Sequence, residues 1–372
     1  MQLPYSEELN TGYLARLFDK KSECYKLFWF KAIVEKIKEG ETVLSFETLV
    51  DHMIVEAWYM VTEYHLNLGP KDGLEEIIIL IKEKHPELKA SEKKIVLLDY
   101  LSCSKEKDIL SKKKRLTYNV PYRLQAPFLT NIKGKAAWEV PVTELVQRIN
   151  QQEHLIYYFE EIRGLSSRIV VQEDWAEYIK KNYDIIIGWI KYNLISYLQR
   201  RNPSVPGIAD KLAPPDTRKL EKVIKYWKMI CSIEPVYEIY DDQLLTEKDI
   251  SIDHFVPWSY VAHDELWNLS PTTKSINSSK GNNLPKWDVY FSKLARLEFQ
   301  SYSLIWSNDG VRKMFEKCAD DHVNNNEVRY RVYAEKQNIQ EFTNQLESLI
   351  MPVYKAAQDC GFCMWEYKES NL

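Results

Sequence analysis

From Ser45 onward, Phe46, Leu49, Met53, Ala57 and Met60 recur at three- and four-residue steps, a spacing that gathers them on one face of a helix. Ser45 is a natural N-cap, and Leu68-Gly69-Pro70 supplies a stop. A second helical pattern runs from Leu74 to Lys84, opened by Asp72-Gly73 and closed before His85-Pro86. Ser91 opens a third through Ile95, Leu98 and Leu101. Tyr25, Phe28, Trp29 and Phe30 could stack on bases, but aromatic residues at helical spacing read first as core. Further on, Trp175 to Gln199 forms one long helical pattern with Ile179, Ile186, Ile190, Leu194 and Leu198 on a common side. It is ended by Arg200-Arg201-Asn202-Pro203. A chain with these patterns is expected to build a mainly helical first half.

Two stretches depart from that pattern. Lys105 to Arg115 reads KEKDILSKKKR and sets Lys112, Lys113, Lys114 and Arg115 side by side, either a solvated helix end or a phosphate-contacting patch. Pro121, Pro127 and Pro141 among Tyr118, Val120, Tyr122, Leu124 and Phe128 suggest short strands or extended loops. From Asn202 to Asp216 four prolines and a glycine read as a connector rather than a packed element. Leu220 to Cys231 is expected to be a helix, and Val236 to Tyr240 with Ile250 to Val256 two strands around the acidic turn Asp241-Asp242. Trp287 to Phe299 and Phe342 to Ala357 suggest terminal helices. The fold class is therefore α+β. Residues 1–203 form a mainly helical recognition or regulatory domain, 204–235 a connector and lead-in helix, 236–300 a small α+β unit, and 301–372 a helical cap.

Composition narrows the function classes. The 372 residues are 45% hydrophobic and 28% charged, which fits two or three globular domains and not a disordered chain. A net charge of −4 provides no global field to draw in nucleic acid or anionic lipid. Apolar runs fall short of the roughly 20 residues that span a bilayer, and MQLPYSEELN lacks a basic n-region before an apolar stretch. A cytoplasmic protein with no membrane partner is expected. The six cysteines are sparse enough to fit reduced thiols better than a disulfide framework.

The chemistry concentrates between Ile252 and Pro285, in IDHFVPWSYVAHDELWNLSPTTKSINSSKGNNLP. Asp253 and His254 are adjacent, so on a strand they point to opposite faces. A carboxylate is a hard ligand suited to Mg²⁺, and an imidazole with a free pKa of about 6.5 can take a proton from water near neutral pH. Asn268 follows fourteen residues after His254, and Asn277 nine further on. The neutral amide oxygen of Asn277 could complete a metal shell without adding charge that repels a phosphate. Lys280 lies about one helical turn beyond Asn277 and could meet a phosphate oxygen.

This stretch resembles the HNH endonucleases, whose metal-binding ββα unit joins a two-stranded hairpin to a helix. The resemblance covers Val236 to about Phe299. Asp253-His254 matches the family's Asp-His start, Asn268 its middle Asn, and Asn277 the third position, where an Asn replaces the second His. Asn277-Ser278-Ser279-Lys280 matches its Asn-x-x-Lys. The run is especially similar to the HNH domain of RNA-guided CRISPR effector nucleases, with Asp253 to Pro257 as DHxVP and Asn283-Leu284-Pro285 as the closing element. The resemblance implies that Asp253 and Asn277 hold one Mg²⁺ or Mn²⁺. His254 would activate water, and Asn268 would brace the loop that aims it.

Many HNH proteins carry a Cys-x-x-Cys zinc knuckle just before the third motif residue; Thr273 and Ile276 stand there here, so no structural zinc is expected in this unit. Packing of Phe255, Trp258, Tyr260, Leu266 and Trp267 would fix the hairpin instead. Cys318 with His322, plus Cys360 and Cys363, could form a tetrahedral zinc site or be plain thiols. His263 could touch substrate, and His52 reads as an ordinary helix residue. Between Ser251 and Gln300 five cations balance five carboxylates, so DNA affinity must come from Lys112 to Arg115, from Arg200-Arg201 or from a partner complex. The expected function is a metal-dependent endonuclease cleaving DNA, the expected partners being DNA and a defence-complex protein or guide-RNA complex. The alternative is a DNA-binding or assembly module with an inactive HNH unit.

Overall fold

The computed structural model describes residues 3–19, 23–70, 72–130, 132, 134–214 and 220–368. The chain divides into two compact units, Met1–Pro203 with Leu212–Pro214, and Ser204–Lys211 with Pro215–Leu372. Helices dominate, with small sheets in each unit, so the fold is α+β.

The first unit contains α1 (Thr11–Ala15), α2 (Tyr25–Glu39), α3 (Phe46–Thr62), α4 (Gly73–Lys84), α5 (Lys94–Cys103) and α6 (Lys107–Leu116). It continues through α7 (Val120–Arg123), α8 (Val142–Asn150), α9 (Glu173–Lys181) and α10 (Tyr183–Arg201). Capping follows the local chemistry. Ser45 Oγ accepts the Thr48 N–H at 3.0 Å to start α3, and Asp72 Oδ1 accepts from Leu74 and Glu75 at 2.9 and 3.2 Å to start α4. Phe28, Trp29 and Phe30 are buried, and Trp29 meets Phe46 edge-on at 5.4 Å, so this aromatic run is core. A three-stranded antiparallel sheet joins β1 (Val43–Ser45), β2 (Tyr157–Glu161) and β3 (Arg168–Val171) in the order β1-β3-β2.

Several sequence expectations change. Pro121 and Pro127 open α7 and a 3-10 turn at Ala126–Phe128, and Pro141 is the N-cap of α8, so these prolines start helices rather than strands. The first turn of a helix needs no bonded N–H, which is where proline costs least. Trp175 to Gln199 is two helices, broken at Asn182, whose Nδ2 donates to the Tyr178 carbonyl at 2.9 Å. Ile179, Ile186, Ile190, Leu194 and Leu198 are nonetheless all buried. α5 begins after Lys93, not at Ser91, and buries Leu97 and Leu101 while Ile95 is exposed. The basic run lies on α6, where Lys113 is buried against Asp51 at 2.6 Å and donates to the Leu101 carbonyl. Lys112 pairs with Glu76 at 2.9 Å. Much of this charge is spent inside the unit.

The second unit begins with a packed segment. Val205, Ile208 and Lys211 of Ser204–Lys211 are buried, contrary to a loose connector; Pro215 and Asp216 lie outside the described residues. Lys211 Nζ donates to the Pro206 and Tyr260 carbonyls, satisfying an ammonium that burial holds down at about 8. Then follow α11 (Glu221–Ile233), β4 (Ser251–His254), α12 (Trp258–Val261), β5 (Leu269–Thr272), α13 (Lys274–Lys280) and β6 (Leu284–Pro285). The terminal part comprises α14 (Trp287–Ser307), α15 (Asp309–His322), α16 (Asn326–Val332), α17 (Ile339–Asp359) and β7 (Met364–Trp365).

Val236 to Tyr240 is not the hairpin partner of β4. Glu238 accepts the backbone N–H of Tyr240 and that of Asp241, the latter at 2.9 Å, and curls the chain into a turn closed by Leu245 N to Val236 O at 2.8 Å. β4 instead pairs antiparallel with β5, Asp253 opposite Ser270 and His254 opposite Leu269. α17 buries Phe342, Leu346, Ile350, Tyr354 and Ala357 on one stripe, and the Tyr354 hydroxyl donates to the Pro285 carbonyl at 2.8 Å. β6 pairs in parallel with β7, tying the end of the motif stretch to the C-terminal segment.

Glu298 of α14 is buried, its Oε1 lacks a hydrogen-bond partner among the described residues, and burial pushes its carboxyl well above its ordinary 4.5. The folded chain therefore keeps a proton that the unfolded chain releases as pH rises past that value. Stability present at lower pH is lost as pH rises. Glu298→Gln should stabilise the protein at about pH 7 by roughly 1–3 kcal/mol and by much less near about pH 4. Denaturant unfolding of both proteins at the two pH values measures this difference.

Candidate active site

Hairpin β4–β5 and helix α13 gather the motif residues. Thr273 caps α13 by accepting the Ile276 N–H at 3.3 Å, which sets the helix directly after β5 and points its length back along β4. Asn277 then donates through Nδ2 to Ser251 Oγ at 3.0 Å and to the Ile252 carbonyl at 2.9 Å. Its amide nitrogen is spent on the strand, which leaves its carbonyl oxygen as the group available to a ligand.

Asp253 is only 3% exposed, and each of its oxygens is engaged. Lys280 donates to Oδ1 at 2.9 Å, and the Tyr240 hydroxyl donates to Oδ2 at 2.6 Å. Lys280 is fully buried and also donates to the His254 carbonyl at 2.7 Å. Its ammonium thus meets a carboxylate and a backbone carbonyl of β4 rather than open solvent. Burying that charge is tolerable because it is both paired and hydrogen-bonded.

Asn268 is completely buried. Its Oδ1 accepts the Val256 N–H at 2.7 Å and its Nδ2 donates to the Val256 carbonyl at 2.8 Å, while its own carbonyl accepts the Phe255 N–H at 2.9 Å. One side chain therefore satisfies both backbone groups of a residue two positions past His254, which holds the exit of β4 in place. His254 is buried, and its Nε2 lies 2.7 Å from Asp264 Oδ1.

Asp264 and Tyr240 were not singled out as site residues from the sequence. Asp264 counted only as one charge among ten, and its approach to His254 depends on the chain reversing at Ala262, which adopts φ 55°. Tyr240 reaches Asp253 only because Glu238 curls the preceding turn. His263 is half-buried, and burial followed by the neighbouring His254 depresses its pKa to about 4. His52 sits half-buried within α3, and burial lowers its pKa.

A carboxylate and an amide oxygen are donors that suit a hard divalent cation, but Lys280 and Tyr240 hold both oxygens of Asp253 here, so a cation would have to displace one of those bonds. Among the described residues no three His, Cys, Asp or Glu side chains form a group that could hold a metal, so Cys318, His322, Cys360 and Cys363 are not gathered into one site. Cys318 is buried, and His322 Nδ1 donates to the Asp264 carbonyl at 2.7 Å. Two cations near the site are paired: Lys286 with Glu366 and Lys293 with Asp242. Among the described residues no helix is long and apolar enough to cross a membrane.

A two-stranded hairpin followed by a short helix has a ββα layout, and it carries Asp253, His254, Asn268 and Asn277. Residues 237–286 match the family model described as HNH endonuclease. Nucleic acid is the substrate class that such a domain implies. No curated protein and no solved structure matches the chain.

Asn268→Ala removes both bonds to Val256 and strands two buried backbone groups. It should destabilise the second unit by roughly 2–4 kcal/mol. The midpoint of urea unfolding, followed by tryptophan fluorescence, measures the loss.

Proposed function

We propose that this protein is a metal-dependent HNH endonuclease that hydrolyses DNA phosphodiester bonds, acting in defence against foreign DNA as a restriction, anti-phage or CRISPR-associated component. The observation that carries the reading is the complete set Asp253, His254, Asn268 and Asn277 on one ββα hairpin within the matched stretch. The defence setting rests on analogy with nucleases of this kind.

In this reading Asp253 and the Asn277 carbonyl would hold Mg²⁺ or Mn²⁺ once Asp253 gives up its bond to Lys280 or Tyr240. When bound, such a cation offsets negative charge on the scissile phosphate and on its leaving oxygen. His254 accepts a proton from the attacking water, a task suited to an imidazole near neutral pH. Asn268 keeps the backbone after His254 from drifting, so that the ring stays aimed. Lys280 balances the charge of Asp253 and pins β4 to α13; a phosphate contact by Lys280 would require it to leave the carboxylate. Since α6 and the cations of the nuclease unit spend much of their charge on internal pairs, substrate capture relies on a partner protein or guide-RNA complex as much as on this chain.

Supercoiled, linear and single-stranded DNA, each incubated with purified protein and Mg²⁺, Mn²⁺ or EDTA, test the reading. Cleavage should require the metal, and His254→Ala should lower its rate by about 100- to 10,000-fold. Cleavage that survives His254→Ala would remove His254 as the base. Tight DNA binding without cleavage under any metal would favour an assembly module.

A further inference from the structure

α10 reads YDIIIGWIKYNLISYLQRR and carries apolar residues on all its sides, a composition that fits a helix covered all round. The first unit covers only part of it. Ile186, Trp189, Ile190, Leu194, Tyr197 and Leu198 are buried, and Trp189 stacks on Phe18 at 4.5 Å and meets Phe30 of α2 edge-on at 6.2 Å. On the opposite side Ile185 and Tyr192 are 50% and 57% exposed. Gly188 lies between them at three- and four-residue steps, so the three share one outward face.

The chain's own packing does not ask for glycine at position 188. A Cβ built there would meet nothing within 4 Å, and the residue sits in the interior of a right-handed helix. Glycine there costs stability relative to alanine. What it provides is room for another backbone to come close. We infer that α10 is the interface of a homodimer, in which two copies of the helix cross antiparallel about a twofold axis beside Gly188.

The charges at the edge of this face select a second copy as the partner. Asp184 and Lys191 are both exposed and seven residues apart, nearly two turns, so they stand on the same edge about 10 Å apart along the helix, too far to pair with each other. A twofold axis midway between them brings Asp184 of each copy beside Lys191 of the other and closes two reciprocal ion pairs. The same axis lays Ile185 against the partner's Tyr192 and sets the two glycines where the helices approach most closely. A helix whose charges complement its own reversal is a self-complementary surface, a symmetry that an unrelated partner would not require. Nothing in this interface depends on the nuclease reading.

Sedimentation equilibrium of the full-length protein at low ionic strength reads the dimer, expected with a Kd of about 1–50 μM. Gly188→Leu fills the point of closest approach at a position that the folded chain leaves open. It should be monomeric at about 100 μM, with the unfolding midpoint of the dilute monomer no lower than that of wild type. Asp184→Lys and Lys191→Asp each turn both ion pairs into repulsions and should raise Kd by about tenfold or more. The double variant restores both pairs with their signs exchanged and should return to within about threefold of wild type. A wild type that stays monomeric at about 100 μM overturns the inference, as does a Gly188→Leu protein that dimerises like wild type. Single reversals without effect, or a double variant as weak as the singles, overturn it too, since an adventitious apolar contact would not recover on exchange of the charges. This charge cycle decides alone if Gly188→Leu lowers the unfolding midpoint.

Discussion

A carboxylate taken almost entirely out of water is the constraint around which the second unit is arranged. Asp253 faces the interior of the hairpin, and an isolated charge there would cost several kcal/mol. The chain meets that cost from both directions in sequence. Lys280 comes back from the end of α13 and Tyr240 comes forward from the turn before β4, each giving one hydrogen bond to one oxygen. Because Lys280 also reaches the His254 carbonyl, the helix cannot shift along the strand without breaking a buried ion pair. Strand, helix and turn are therefore locked in one register by the bonds to Asp253.

Around that lock the neutral amides do a different job. Asn268 and Asn277 each bond backbone of the β4 region, one beyond His254 and one before Asp253. They add no charge beside the buried Asp253–Lys280 pair. The hairpin rests on apolar packing. Phe255 lies against Trp287 and Tyr354, and Trp287 stacks on Phe291 at 4.1 Å. Such aromatic contacts hold a small unit together without a metal-liganded thiol.

The helical character of the first unit was legible because capping and periodicity are local: Ser45 and Asp72 stand where their side chains close the first turn. Proline misled at Pro121, Pro127 and Pro141, since the residue that breaks a helix interior is also the residue best suited to its first turn. Asn182 broke a helix that periodicity alone had joined, because burial of Ile179 and Ile186 on a common side does not require an unbroken axis. The cationic run on α6 looked like a surface feature from its composition. Burial of Lys113 against Asp51 is decided by where α3 lies, which no stretch of four cations can reveal.

Asp253, His254, Asn268 and Asn277, and the one-turn spacing of Asn277 and Lys280, were legible in the sequence, since spacing along a helical turn is a local property, whereas the hairpin was implied only by the resemblance. Only the tertiary structure decided that β4 pairs with β5 and not with Val236 to Tyr240, that Lys280 lies on Asp253, and that Asp264 faces His254. Those contacts close loops of ten to twenty-seven residues. Which polar groups meet across such loops depends on which burial leaves none of them unpaired, a condition imposed by the whole packed unit rather than by any segment of it.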